Sequence, residues 1–210
     1  TIDYVRMRAA EESRVTNSVA PVVFGTVPKQ VVNANCDLVS YGPFSSSNYL
    51  VRYPAANVHD SSIDQENALD WGTGNFTVML WFNNTSYTNR QILLRKTDSG
   101  DGAGRWALTI ETNGKLNFGI EGASGSNLLS ANATQYTRNS AVWNQVVITR
   151  EDNQMRMFVN GHLVADARNG TDLSATAFQQ LAIGSLGFGS GAADSTEMAL
   201  LRISLKPISQ

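Results

Sequence analysis

The carboxylates of this 210-residue chain could support glycoside hydrolysis only if two of them lay side by side. A retaining glycosidase needs its acid and its nucleophile about 5–5.5 Å apart, which on a β-sheet requires one shared face. The glutamates do not have this spacing, because they lie next to predicted turns or alone, at Glu111, Glu121, Glu151 and Glu197. Hydrolysis by a carboxylate pair is therefore not expected.

The histidines and the cysteine do not predict a nucleophilic site either. His162 directly follows Asn160-Gly161, where a polar residue on the shoulder of a hairpin is the simpler interpretation, and His59 is the only other histidine. Cys36 has no adjacent cation or helix start that would favour a thiolate, so we interpret it as a small buried hydrophobic residue. As the single cysteine it excludes an intrachain disulfide. We predict no catalytic residues and a protein that is not an enzyme.

Aromatic side chains in loops are the candidates for ligand binding. An exposed ring can stack on a sugar, and the exposed loops of a rigid scaffold often carry the binding residues. Three aromatic residues lie in predicted loops and are our candidate ligand-binding residues: Tyr87, Tyr136 and Phe188. The four tryptophans each adjoin a predicted strand, which favours packing in the core or at a sheet edge.

Charge and hydropathy argue against two classes of partner. The formal net charge is −2 and the pI is about 5.6, whereas a nucleic-acid-binding domain usually presents a basic face. No apolar run approaches the roughly 18 residues that a membrane-spanning helix requires. We therefore expect neither nucleic acid binding nor membrane insertion.

Short β-strands separated by turn residues account for most of the sequence. Residues 142–167 are typical of a three-stranded meander, with Asn160-Gly161 as a type I′ turn between its second and third strands. Asn113-Gly114 predicts another hairpin of the same type. No apolar period of 3.6 residues persists for three turns after residue 15. These patterns predict an all-β sandwich.

Residues 76–82 form the clearest alternating strand. Their alternation places Phe76, Val78, Leu80 and Phe82 on one face and Thr77, Met79 and Trp81 on the other. Because both faces are substantially apolar, we predict a central strand covered on both sides. The residues expected to be largely buried are Phe76, Val78, Leu80, Trp81, Val147 and Phe158. Truncation of Trp81 to Ala is then expected to cost about 3–5 kcal/mol.

Residues 1–36 precede the β-rich region and are predicted to be an N-terminal arm or linker, whereas residues 37–210 form the sandwich. Residues 4–14 hold the only compact cluster of good helix formers, which indicates a short helix or a linker ordered by a neighbouring subunit. Residues 19–32 are too apolar to remain in water beside a complete sandwich. We expect this arm to pack on a neighbouring chain or, as the alternative, to extend an edge of its own sandwich.

The order of these motifs resembles that of the laminin-G-like, concanavalin A-like jelly-roll domain. The resemblance covers residues 38–204 and depends on five motifs in the family's order. They are the entry part at residues 47–50 and 69–82, the hairpin of residues 105–110 and 115–118, the meander that begins at Trp143, Leu181-Ala182-Ile183-Gly184 and Ala199-Leu200-Leu201-Arg202-Ile203. In the last segment, Ala199 and Leu200 replace the family's usual acidic pair, so a role that depends on those carboxylates is not carried over. The resemblance implies an all-β, antiparallel two-sheet jelly-roll sandwich.

Such sandwiches bind ligands more often than they cleave them. With one cysteine, few charges and many Ser, Thr, Asn and Gly residues, the chain resembles appendage domains of bacteriophage tail or virion structural proteins, particularly where residues 37–44 lead into residues 48–50. This resemblance implies a virion structural or host-recognition module that presents a glycan-binding or protein-binding sandwich. It also implies a location on the virion, other virion or tail subunits as partners, a homo-oligomer and a cell-surface glycan as ligand. The alternative is a carbohydrate-binding module of a secreted bacterial enzyme or adhesin.

Calcium is the one cofactor that the resemblance implies. Laminin-G-like domains often hold this ion at the rim of the sandwich through Asp side chains and backbone carbonyls, which suit a hard cation. Asp98 and Asp101 lie in a Gly-rich turn, and Asp166, Asp172 and Asp194 lie in predicted loops that could converge with it. The alternative is that Asp-Ser-Gly and Asp-Gly are turn-forming sequences without a metal.

Overall fold

The computed structural model describes residues 24–26, 39–45, 48–52, 71–85, 89–97, 106–120, 126–132, 134–136, 142–173, 180–184 and 196–204. These residues form thirteen strands: β1 (Phe24–Thr26), β2 (Val39–Tyr41), β3 (Leu50–Arg52), β4 (Phe76–Asn84), β5 (Gln91–Thr97), β6 (Trp106–Ile110), β7 (Leu116–Ile120), β8 (Ser126–Ala131), β9 (Asn144–Glu151), β10 (Gln154–Val159), β11 (His162–Arg168), β12 (Gln180–Ile183) and β13 (Thr196–Ser204). In this described part of the chain there is no helix, and hence none that could cross a bilayer.

The strands form two antiparallel sheets, which confirms the predicted fold class. The seven-stranded sheet has the order β1-β2-β13-β4-β9-β10-β11, and the six-stranded sheet has the order β3-β12-β5-β6-β7-β8. β4 pairs with β13 on one side and β9 on the other, so it is a central strand, as its sequence predicts.

The predicted turns are explained by local backbone chemistry. Asn160 and Gly161 both have positive φ angles, of 50° and 81°, and join β10 to β11 as a type I′ turn requires. The β6–β7 hairpin also forms, but its turn differs from the predicted one. Gly114 alone takes a positive φ there, and its amide donates to the Glu111 carbonyl at 2.7 Å, so the chain turns over residues 111–114.

β1 adds an edge strand beside β2, with Phe24 opposite Tyr41. For these three residues, the chain therefore adopts the alternative arrangement, in which the arm extends its own sandwich. The predicted helix at residues 4–14 lies outside the described residues. The division between residues 36 and 37 and the contact with a neighbouring chain stay predictions.

The hydrophobic core fills the space between the two sheets. Phe76, Val78 and Leu80 are fully buried there, as predicted, and they pack with residues of β6, β7, β9 and β10 in one cluster. The prediction was wrong for Trp81, Val147 and Phe158, which are only half-buried. These three side chains lie on the opposite face of the seven-stranded sheet, away from the second sheet, because alternation reverses their direction.

A buried polar cluster joins the two sheets at one end of the sandwich. Asn84 of β4 donates to Gln91 of β5 at 2.6 Å and to the Thr196 hydroxyl of β13 at 2.7 Å. The Thr196 hydroxyl donates to the same Gln91 oxygen at 2.8 Å. Because buried polar groups are costly when unpaired, this cluster favours the observed alignment of the three strands.

Gly184 is a position where we expect a single methyl group to destabilise the fold. Its φ is 81°, and a Cβ at this position would overlap the ring of Phe44. Gly184→Ala is expected to lower the free energy of unfolding by roughly 2–4 kcal/mol, from backbone strain and overpacking together. Urea denaturation followed by tryptophan fluorescence measures this loss.

Gly161→Ala is the matched control for this prediction. Gly161 has the same φ of 81°, but its Cβ would meet nothing within 4 Å. We therefore expect Gly161→Ala to lower the free energy of unfolding only by the backbone strain, about 1 kcal/mol. Equal losses in the two variants would show that the contact with Phe44 contributes nothing.

Candidate ligand-binding face

The outer face of the seven-stranded sheet carries a row of apolar side chains on four adjacent strands. Met79 of β4 lies opposite Val147 of β9, Val147 lies opposite Phe158 of β10, and Phe158 lies opposite Leu163 of β11. We call these four residues the apolar stripe. Leu163 is 52% exposed, and the other three side chains are half-buried.

In β9 and β10, the apolar stripe results from a single apolar residue among the outer positions of each alternating strand. On β9, Val146 and Ile148 enter the core, so Val147 points outward between Gln145 and Thr149. On β10, the outer positions are Gln154, Arg156 and Phe158. The strand register brings these isolated apolar positions into one line perpendicular to the strands.

Polar groups border the apolar stripe on both sides. Trp81 and Gln145 are cross-strand partners in the row on one side, where the Gln145 amide also contacts the Met79 sulfur at 3.4 Å. The row on the other side includes Arg156 and its cross-strand partner Asp166, whose carboxylate accepts a hydrogen bond from Gln154. This arrangement suits a ligand with apolar faces and hydrogen-bonding edges.

A second polar group lies beyond Trp81 on the same face. Asn83 is only 6% exposed, and its cross-strand neighbour is Glu197. Its side-chain oxygen has no hydrogen-bond partner among the residues that the structure describes. Burial raises the pKa of the Glu197 carboxyl. A buried amide and a carboxyl group thus lie beside an aromatic ring at this end of the face.

Of the predicted ligand-binding residues, Tyr136 is the one that the structure describes. It is only 8% exposed, its hydroxyl donates to the Gly114 carbonyl at 2.7 Å, and its ring packs edge-on against Phe82 at 5.7 Å. This burial contradicts the exposure from which its stacking role was predicted. Tyr87 and Phe188 lie outside the described residues, so their role stays a prediction.

The predicted calcium ligands Asp98 and Asp101 also lie outside the described residues, as does Asp194. Asp166 is on β11, where it accepts a hydrogen bond from Gln154, whereas Asp172 follows that strand and interacts electrostatically with Arg150. Within the described ranges, no group of three His, Cys, Asp or Glu side chains could hold a metal ion. The calcium site at Asp98 and Asp101 stays a prediction.

Three of the glutamates that the sequence analysis considered are described, and each lies on a different part of the sandwich. Glu111 follows β6 and accepts hydrogen bonds from Arg90 at 3.1 Å and from the Thr109 hydroxyl at 2.7 Å. Glu151 ends β9, whereas Glu197 lies near the start of β13. These three do not form the close pair that a retaining glycosidase requires.

Arg150 is a buried cation that the sequence analysis missed. Its guanidinium donates to the carbonyls of Gly72 at 2.6 Å, Gly74 at 2.7 Å and Thr171 at 2.8 Å, and it lies 5.0 Å from the centre of the Phe76 ring. Burial lowers the pKa of Arg150, and the Asp172 carboxylate partly opposes this shift. The side chain therefore fixes two loops at the end of the sandwich where β9 terminates.

The sequence contained signals for the buried Arg150 and for the apolar stripe. Arg150 continues the buried alternation of Val146 and Ile148, which marks a charged residue at a core position. Val147 and Phe158 are each the one apolar residue among the outer positions of their strand, which marks two members of the apolar stripe, although their alignment in one row depends on the strand register.

Comparison with known proteins identifies the family of the chain. Residues 57–206 match the family Laminin_G_3, described as the concanavalin A-like lectin/glucanases superfamily. No significant match is found among curated protein sequences.

Several solved structures share the fold at low identity. The CBM40 domain of Ruminococcus gnavus IT-sialidase, bound to α2,6-sialyllactose, is 18% identical over 68% of this chain and 82% of that chain, with a TM-score of 0.54. Domain 4 of AbnA, an extracellular GH43 arabinanase from Geobacillus stearothermophilus, in complex with arabinotriose, is 10% identical over 90% of this chain and 78% of that chain, with a TM-score of 0.61. Mouse laminin α1 domains LG4-5 are 15% identical over 80% of this chain and 43% of that chain, with a TM-score of 0.52. Since the family match covers more than two thirds of the sequence, the chain belongs to the laminin G family of the concanavalin A-like lectin/glucanase superfamily.

Proposed function

We propose that this protein is a non-catalytic recognition module that binds a glycan on the outer face of its seven-stranded sheet. The observation that carries this proposal is the apolar stripe with its polar borders. The family, together with the sialyllactose and arabinotriose bound by two proteins of similar fold, supports a saccharide as the ligand class.

The physical chemistry of the face suits a sugar. A pyranose ring has apolar C–H faces and a hydroxylated rim, so its face packs on apolar side chains while its rim needs hydrogen-bonding partners. Phe158 and Trp81 are half-buried and therefore keep part of each ring available for such contact. Gln145 and Arg156 lie in the rows on either side of the stripe, where they can bond to hydroxyl groups.

We further propose that the module belongs to a bacteriophage virion or tail protein and serves structure or host attachment. The motif order around residues 37–50 and the turn-rich composition support this setting, in which the chain assembles with other virion subunits as a homo-oligomer. A carbohydrate-binding module of a secreted bacterial enzyme or adhesin is the alternative, with the same binding face. The gene neighbourhood discriminates between the two, because phage structural genes adjoin one another.

Phe158→Ser tests the binding face directly. The glycan that binds best on an array, screened with and without calcium, is expected to bind this variant about tenfold more weakly, since its stacking contact is lost. Titration calorimetry measures the affinity, and the thermal unfolding midpoint shows whether the fold is retained.

Val142→Ser is the matched control for this test. Val142 is 47% exposed and lies before β9, outside the apolar stripe, so its replacement is expected to leave binding unchanged. Unchanged affinity of Phe158→Ser would refute the proposed face, and release of reducing sugar from the bound glycan would refute the non-catalytic role.

A further inference from the structure

We infer that Glu197, Trp81 and Trp143 form a site for a protonated primary amine, and that the glycan bound on this face carries the amine on an unacetylated amino sugar. This inference rests on the proposed function and specifies the class of glycan. It follows from a carboxylate that has no cationic partner in the described part of the chain and from the two aromatic residues beside it.

Strand register places these three residues at one end of the outer face. Glu197 of β13 lies opposite Asn83 of β4, and Trp81 is the neighbouring outer residue of β4. Trp143 directly precedes β9, and the antiparallel register of β4 and β9 places it opposite Asn83. Both tryptophans are half-buried, so part of each remains exposed. A carboxyl group and two aromatic residues therefore occupy neighbouring positions of one surface.

The Glu197 side chain lies against the backbone of β2's continuation at Gly42. Gly42 is buried and has a φ of 132°. A Cβ at this position would lie 3.3 Å from the Glu197 Cγ and 2.6 Å from the Thr196 carbonyl oxygen. Because Gly42 has no side chain, the stem of Glu197 can pack against it, and the carboxylate is held half-buried instead of extending into solvent.

The Glu197 carboxylate lacks a compensating positive charge among the described residues. The ion pair found in this part of the chain involves other residues, and burial alone raises the pKa of Glu197, with no cation opposing the shift. The Asn83 oxygen is buried and has no donor among the same residues, which adds a partial negative charge beside the carboxylate. A cation that enters this site would offset the cost of burying the carboxylate.

The two tryptophans favour an organic cation over a metal ion. A positive charge over an aromatic face is attracted by the π-system, and this attraction is strongest for Trp. A divalent metal ion instead needs several oxygen ligands, and the described ranges contain no group of three side chains that could hold one. An ammonium group on a carbon framework can contact the carboxylate and the rings together.

An amino sugar combines this amine with the ring that the face is proposed to bind. Its C–H face packs on Trp81 as any pyranose does, while its ammonium group reaches the Glu197 carboxylate. The acetylated sugar has a neutral amide instead, which would leave the carboxylate uncompensated. A lysine side chain supplies the charge but has no sugar ring for the apolar stripe.

Arg202 limits where the amine can bind. It lies on the same face of β13 and would repel an amine bound close to it. Arg202 pairs with Met79 and Glu197 pairs with Asn83, so four residues of β4 separate the two rows. At about 3.4 Å per residue this is roughly 14 Å, more than the Debye length of about 8 Å at physiological salt. The amine is thus confined to the end of the face that carries Glu197.

Three tetrasaccharides that differ at one ring position test this inference. They are the β1,4-linked tetramers of glucosamine, N-acetylglucosamine and glucose, which carry an ammonium, an acetamido and a hydroxyl group at C2. The glucosamine tetramer is expected to bind about tenfold more tightly than either of the others when measured by calorimetry. Glu197→Gln keeps the shape of the side chain but removes its charge, so it should abolish this preference and leave binding of the glucose tetramer unchanged.

Glu151→Gln is the matched control for the charge. Glu151 is an exposed glutamate at the end of β9, far along the same face from the row of Glu197. We expect it to leave the preference for glucosamine intact, and the thermal unfolding midpoint shows that both variants are folded. An equal loss of preference in the two variants would show that net charge attracts the amine and would overturn the inference.

The remaining outcomes separate this inference from the proposed function. If no glycan binds, on an array with matched amino and acetamido sugars or among the three tetramers, both fail. If glycans bind but a free amino group gives no advantage in any matched pair, only this inference is overturned. If Nα-acetyl-lysine amide binds as tightly as the glucosamine tetramer, the site takes amines without a sugar, and the assignment to an amino sugar is wrong.

Discussion

Replacement of Arg150 by Met is expected to lower the free energy of unfolding by about 3–5 kcal/mol, with glycan binding affected only through loss of the fold. The Arg150 guanidinium donates to the carbonyls of Gly72, Gly74 and Thr171, all within 2.8 Å. Methionine fills a similar volume but leaves these acceptors without their donor, and a buried acceptor without a partner costs about 1–3 kcal/mol. Urea denaturation of both proteins measures the difference.

Two further variants make the result specific. Arg150→Lys retains the charge, but an ammonium group cannot reproduce the planar arrangement of donors, so an intermediate loss is expected. Arg156→Met removes an arginine from the outer face of the same sheet, where exposed ion pairs contribute little, and should cost less than about 1 kcal/mol. Equal stability of Arg150→Met and the wild-type protein would show that the guanidinium contacts do not stabilise the loops.

The hairpins could be predicted from sequence because their cause is local. The turn at Asn160-Gly161 depends on two adjacent residues that tolerate positive φ, and the strands around it show their own alternation. The β6–β7 turn illustrates the limit of this reasoning. Asn113-Gly114 marks the correct position, but the turn type depends on the hydrogen bond between Gly114 and Glu111, which a dipeptide does not specify.

The two faces of a strand could be separated from sequence, but not assigned to core or solvent. On β4, alternation correctly groups Phe76 with Val78 and Leu80, and it places Trp81 on the other side. Whether that other side is covered depends on the second sheet, whose position no local pattern specifies. Tyr136 shows the converse case, since a residue between strands is buried by contacts with Phe82 and Gly114.

The candidate site could not be predicted because it depends on register. The apolar stripe exists only where β4, β9, β10 and β11 align Met79, Val147, Phe158 and Leu163 in one row. A shift of one residue in any pairing would turn that strand's side chain to the other face. Aromatic residues in loops were the candidates from sequence, because a loop position suggests exposure. In the described part of the structure, the partly exposed aromatic rings near this row lie on strands instead.

Trp106→Ala is expected to lower the free energy of unfolding by about 3–5 kcal/mol, a larger loss than that of Trp81→Ala. The Trp106 ring is fully buried and stacks on Trp71 with their ring centres 4.3 Å apart, and Phe118 lies 5.8 Å away. Removing it would leave a cavity between the sheets and break an aromatic stack. Trp81 is half-buried on the outer face, so its truncation leaves a surface depression that solvent can fill.

The expected order of these two variants reverses the expectation from sequence, which assigned the loss of about 3–5 kcal/mol in unfolding free energy to Trp81→Ala. Each variant removes the same group of atoms, so the comparison isolates the effect of position from that of residue type. Chemical denaturation gives the two losses, and calorimetry with the array-selected glycan gives the two affinities. Trp81→Ala should weaken binding at smaller cost in stability, whereas Trp106→Ala should destabilise the protein without a specific loss of affinity in the molecules that remain folded. A loss of stability in Trp81→Ala equal to that in Trp106→Ala would place Trp81 in the core and remove it from the binding face.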